Sequence, residues 1–104
     1  TNMELTKEHY EELVAQYGKI YVCTVEGQDF AARSIKKSEM IQIQKLSEQR
    51  KDMEIVNLMA NLLVFPAQSD LGTTFSDDGL LFQSVIAFLT ESMKEAKVAV
   101  AKNF

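Results

Sequence analysis

The side chains with the most chemical potential in this chain are few and widely spaced. It has one histidine, one cysteine and no tryptophan. His9 lies in KEHYEEL beside Glu8 and Glu11. A general base needs a positioned partner and a nucleophile within reach, and this run offers neither, so His9 reads as a solvated surface imidazole. Cys23 lies in IYVCTV, where no helix N-terminus or cationic neighbour would draw out its thiolate. It reads as a small core residue. Asp70, Asp77 and Asp78 bracket the segment 66–78. A hard cation takes several carboxylate oxygens, but this spacing matches no calcium loop, and helix capping with solvation is the expected role. No catalytic, cofactor-binding or metal-ligating residue emerges, and a non-enzymatic protein is expected.

Composition narrows the alternatives. The 104 residues suit a single domain, and 46% hydrophobic with 25% charged residues is the balance of a globular chain. The net charge of −4 supplies no cationic field for a phosphate backbone, so nucleic acid is not an expected partner. Its nearest basic cluster, Arg33, Lys36, Lys37, Lys45, Arg50 and Lys51, is interrupted by Glu39 and Glu48, as on a solvated mixed-charge face. The most apolar run, Ile55 to Phe65, falls well short of the roughly 20 residues a membrane span needs, so no membrane role is expected. A lone cysteine fits a reducing, cytoplasmic setting. Met3 is expected to be the native start, with Thr1 and Asn2 an addition before it. The domain is accordingly read as 3–104.

The pattern along the chain predicts an α+β, mostly helical fold. Its elements are an N-terminal helix, one β-hairpin, a helical hairpin and a long C-terminal helix. Thr6 is placed to cap a helix over Lys7 to Tyr17, closed by Gly18. Tyr10, Leu13, Val14 and Tyr17 fall on one stripe of that helix, with Glu8, Glu11 and Glu12 turned outward. Ile20 to Val25 and Asp29 to Ile35, joined by Glu26, Gly27 and Gln28, read as a β-hairpin over about 19–35. Both faces of its first strand carry apolar residues and want cover, from the helices or from another chain's edge. A second helix, about Lys37 to Gln49, presents Met40, Ile43 and Leu46, with Ile41 beside them.

The stretch MEIVNLMANLLVFP, Met53 to Pro66, is apolar almost all round. It predicts a core helix relieved only by Glu54, Asn57 and Asn61 and stopped by Pro66. Asp52 is its expected N-cap, and the helix should pack against its predecessor as a hairpin; a single bent helix through Gln49 to Asp52 is the other possibility. Residues 66–78 read as a loop, tucked onto the core by Leu71 and Phe75. From Gly79 to Lys102 a long helix is expected, with Phe82, Ile86, Leu89, Met93, Ala96 and Val100 alternating at spacings of four and three. That is a heptad seam, widened by Val85, Phe88 and Ala99. Because a seam of this kind serves equally between chains or inside a bundle, Phe82, Ile86, Leu89 and Met93 are the candidate partner-binding residues.

The order of these elements resembles that of the small tail assembly chaperones of long-tailed bacteriophages. The likeness is carried by FAARSIKKSEMIQIQKL, Phe30 to Leu46, where an extended segment with Arg33 runs into a helix bearing Ser38 and Glu39. MEIVNLMANLLVFP then stands where those proteins have an apolar helix ending in proline. The resemblance implies a non-enzymatic phage protein of the host cytoplasm that self-associates and binds tape measure or tail tube subunits. A different class also fits the residues: a small regulatory or inhibitory module, such as a phage-encoded blocker of a host protein, whose acidic surface mimics nucleic acid or plugs a basic cleft.

Overall fold

A computed structural model describes residues 4–75, 77–95 and 103. Its elements are α1 (Lys7–Tyr17), β1 (Ile20–Val25), β2 (Gln28–Arg33), α2 (Lys37–Glu48), α3 (Asp52–Ala60), β3 (Leu63–Phe65), a 3-10 turn (Gln68–Asp70), α4 (Leu71–Phe75) and α5 (Gly79–Glu95). The fold is α+β and mostly helical, built on a three-stranded antiparallel sheet in the order β1-β2-β3.

Local chemistry sets the first half. The Thr6 hydroxyl accepts a hydrogen bond from the His9 N–H at 3.1 Å and starts α1. Gly18 ends it at φ 85°, ψ −129°, a region costly for any residue with a Cβ, while its N–H donates to the Val14 carbonyl. The hairpin closes on only two residues, Glu26 (φ 52°) and Gly27 (φ 81°). Both lie in the left-handed region, as a type I′ turn requires to match the twist of its strands. Gln28 therefore belongs to β2, paired with Val25, and the strand ends at Arg33, not Ile35.

The helical hairpin is two helices, not one bent helix. Arg50 takes φ 56°, and the Lys51 N–H reaches back to the Leu46 carbonyl while the Arg50 N–H reaches Ser47. This is the Schellman arrangement, with arginine in the place usually given to glycine. Lys51, not Asp52, occupies the N-cap position of α3.

The expected core helix over Met53 to Pro66 is the main correction. The helix stops at Ala60, and Leu63–Phe65 form a third strand. The stretch looked apolar all round because it joins two periodicities, a one-sided helix and a strand covered on both faces. Within α3 only Met59 is buried and Met53 is 73% exposed, whereas Leu62, Leu63, Phe65 and Pro66 are all buried. Tertiary pairing overrides helical propensity here, because without β3 the inner edge of β2 would leave its backbone groups unpaired. The register shifts between Ala31, opposite Phe65, and Ala32, opposite Leu63. Val64 is thus an extra residue, a bulge that reverses the side-chain alternation. It sends Leu63 and Phe65, two apart in sequence, into separate cores on opposite faces of the sheet.

The larger core gathers Phe30, Ala32, Met59, Leu62, Leu63, Leu71, Val85 and Leu89 under α3, α4 and α5. The smaller one, on the other face under α1, holds Leu13, Ile20, Ala31 and Phe65. The segment 66–78, expected to be a loop, contains the 3-10 turn and α4. Leu71 and Phe75 do anchor it, and Phe75 stacks on Phe30 (centroids 5.7 Å apart, 6° between planes) and meets Phe82 edge-on at 5.3 Å. Asp78 accepts the Leu81 N–H at 3.0 Å and so caps α5. The predicted continuation through Ala96, Ala99 and Val100 to Lys102 lies outside the described residues, as do Thr1, Asn2 and Met3.

Candidate functional site: the outer faces of α1 and β1

The four seam residues lie on α5 against the protein's own interior. Leu89 is completely buried, and Ile86 and Met93 pack around the larger core. Phe82 is half-buried against Phe75. The deepest positions, Val85, Leu89 and Ser92, shift the buried face slightly off the heptad seam. Ser92 is accommodated because its hydroxyl donates to the Leu89 carbonyl at 2.8 Å. Leu89 therefore has no surface to offer a partner.

The opposite outcome holds for α1. Of its apolar stripe Leu13 alone is buried, while Tyr10 and Val14 are each 37% exposed and Tyr17 is 42% exposed. The imidazole of His9 explains the offset. It is half-buried and meets the Phe65 ring edge-on at 5.2 Å, which corrects the expectation of a solvated surface side chain. At about 100° per residue, a helix seated on His9 and Leu13 turns Tyr10, Val14 and Tyr17 to its flank. No feature of the periodicity distinguishes that roll from one centred on the stripe.

Other large apolar side chains exposed among the described residues are Val22 on β1, Ile41 on α2, Met53 on α3 and Leu80 on α5. Val22 shares a sheet face with Ile20 and Ala31, the α1 side, by strand alternation.

The polar side chains that might have done chemistry are engaged in holding elements together. Arg33 and Glu39, which carry part of the phage-chaperone resemblance, form a two-pronged ion pair of 2.8 and 2.7 Å between the end of β2 and the first turn of α2. Glu39 also accepts the Lys36 N–H at 2.9 Å, one half of a capping box. The guanidinium hydrogen bonds, with that backbone donor, outweigh partial burial and hold the Glu39 carboxyl down at about 2; the same partner raises Arg33. Sequence reasoning missed this joint, although a six-residue separation between an arginine closing a strand and an acid in a following helix's first turn is a usable signal. Ser38 is exposed beside it.

Cys23 is half-buried against the larger core, and burial, reinforced by the negative charge of Asp29, pushes its thiol up to about 11. It is a poor nucleophile at neutral pH. Asp29 accepts the Leu5 N–H at 2.7 Å and the Thr24 hydroxyl at 2.6 Å, tying the chain before α1 to the hairpin. Among the described residues no group of three His, Cys, Asp or Glu side chains could hold a metal ion, and no helix is long and apolar enough to cross a membrane.

The described surface also holds shallow concavities. A cavity of about 30 Å³ beside Arg33, Ile35 and Met93 has room for about one water. A shallow groove between α2 and α3 is lined by Gln42, Leu46, Glu54, Asn57, Leu58 and Asn61; Glu54, Asn57 and Asn61 are exposed there.

No protein-family model, curated protein or solved structure matches the chain.

Proposed function

We propose that this is a non-enzymatic binding protein acting through protein–protein contacts, in the manner of a phage tail assembly chaperone. In this reading it works in the cytoplasm of the infected cell, self-associates, and shields an apolar segment of a tape measure or tail tube subunit before the tail is built. One observation supports it above the others: Tyr10, Val14 and Tyr17 stand exposed along one side of α1. Tyrosines are favoured at interfaces because each pairs a large apolar body with a polar tip. The candidate binding surface accordingly moves from the α5 seam, whose Leu89 is buried, to α1.

The test is co-expression with the tape measure and tail tube proteins encoded in the same genome. A chaperone keeps one of them soluble and co-purifies with it, and replacing Tyr10, Val14 and Tyr17 together by serine abolishes the complex while the chain stays folded. Failure of both subunits to co-purify with the unaltered chain removes the assembly reading. Retention of the complex by the serine variant removes α1 as its surface.

A further inference from the structure

The two edges of the sheet are treated very differently. At the β3 edge the strand is three residues long, carries the Val64 bulge and runs directly into Pro66. Its outward backbone is also capped. The Leu62 carbonyl accepts from the Arg33 N–H on the β2 side, so the next carbonyl, Leu63, points away from the sheet, and there the Gln68 amide donates to it at 2.7 Å. Shortness, a bulge, proline and a covering side chain are the devices by which proteins stop a sheet edge from recruiting another strand.

Among the described residues the β1 edge has none of them. It runs six residues, IYVCTV, without proline, glycine, bulge or internal charge, and pairs with β2 in unbroken register from Ile20–Arg33 to Val25–Gln28. In a two-residue hairpin the pair closing the turn is hydrogen-bonded and the pairs then alternate. Val25, Cys23 and Tyr21 thus turn their backbone groups to β2, and Ile20, Val22 and Thr24 turn theirs outward. Among the described residues no partner meets those outward groups. In the middle of this edge sits Val22, 44% exposed on the α1 face.

We propose that β1 is the self-association surface, pairing antiparallel with β1 of a second copy to join two three-stranded sheets into one of six. The register is determined by hydrogen bonding. Only pairing Val22 with Val22 of the second copy sets all three outward residues against outward residues, Ile20 opposite Thr24 on either side of the two-fold axis. This isologous contact places the two exposed valines against each other at its centre. The ends are complementary as well, because β1 is preceded by Lys19 and followed by Glu26, so antiparallel pairing brings the basic end of one strand beside the acidic end of the other. The axis is normal to the sheet and sets both α1 helices on the same side of it.

This inference deepens the self-association in the proposed function and stands apart from capture of a tail subunit through α1, so either can fail alone. Its test is the solution mass by light scattering coupled to size exclusion, across a hundredfold concentration range, for the whole chain and for Val22→Lys. The expected result is a species of twice 11.8 kDa for the unaltered chain. Val22→Lys, which sets two like charges across the axis, gives a monomer with an unchanged circular dichroism spectrum.

A second variant reads the register without depending on that substitution. Tyr21 lies opposite Cys23 of the second copy in a non-hydrogen-bonded pair, where Cα atoms approach about 4.5 Å and a disulfide fits. Tyr21→Cys should therefore oxidise to a covalent dimer on a non-reducing gel, while the unaltered chain, with Cys23 alone, does not. A unaltered chain that stays monomeric throughout the range, a Val22→Lys dimer, or no cross-link from Tyr21→Cys overturns the proposal.

Discussion

Helices α1 and α5 carry comparable apolar stripes, and the molecule uses them in opposite ways. On α5 the stripe is consumed. Val85 and Leu89 are entirely enclosed, with Ile86, Phe88 and Met93 packed around the core, because α5 lies on the sheet face that α3 and α4 also cover. On α1 only Leu13 is buried. The other sheet face offers it Ile20, Ala31 and Phe65, and three strands at about 4.8 Å spacing make a strip about as wide as one helix. With no neighbouring helix in that core among the described residues to enclose its flanks, α1 leaves three of its four stripe residues partly in solvent. An amphipathic pattern reports that a helix can bury a face; how much of it becomes buried depends on how many elements surround it.

This contrast is most directly broken by substitutions matched in chemistry and differing in place. Changing Leu89 and Met93 together to aspartate should unfold the chain, since an unpaired charge cannot be held in a packed interior; circular dichroism showing a folded double variant would return the seam to the surface. A milder form is Leu89→Ala, expected to cost about 2–5 kcal/mol for a fully buried leucine, read as a lowered urea midpoint at unchanged slope. The corresponding Val14→Ala on α1 should stay within about 1 kcal/mol. Equal losses at the two sites would erase the distinction.

The joint between β2 and α2 gives the next largest effect, and it depends on pH. The carboxyl of Glu39 sits at about 2, below its ordinary 4.5. A lowered acid pKa contributes stability that is complete above the unfolded-state value and is lost as pH falls through the folded one. The ion pair with Arg33 should be worth on the order of 2 kcal/mol near neutrality. Denaturant titrations of the unaltered chain and Glu39→Gln should therefore differ by that much at pH 7, converge between about pH 4.5 and pH 2, and coincide below. A difference unchanged across that window would mean that the carboxylate's charge is not what holds the joint.

The smallest expected effect is a gain. Arg50 occupies a left-handed position that glycine adopts without steric cost, so Arg50→Gly should raise stability by about 0.5–1 kcal/mol, seen as a higher urea midpoint. No change or a loss would indicate that the arginine side chain, or its restriction of the unfolded chain, matters more than the backbone geometry.

The elements whose limits depend on neighbouring residues were legible in the sequence. Thr6 and Gly18 bound α1 because a hydroxyl can satisfy a free helical N–H and because a chain ending at positive φ prefers glycine. The two strands around Gly27 and the helix from Lys37 follow from β-branched runs and helical spacing in the same local way. The anchoring of segment 66–78 by Leu71 and Phe75 was legible too, though its helical turns were not. What the sequence could not decide is which surface meets which. Leu63–Phe65 becomes a strand because the β2 edge is there to receive it, and Val64 reverses its alternation because cores lie on both faces of the sheet. The burial of Leu89, the exposure of Tyr17 and the open edge at Val22 are likewise properties of the assembled layers. Local spacing determines the direction in which each side chain leaves its own element, and the packing of elements distant in the chain determines whether protein or water lies in that direction.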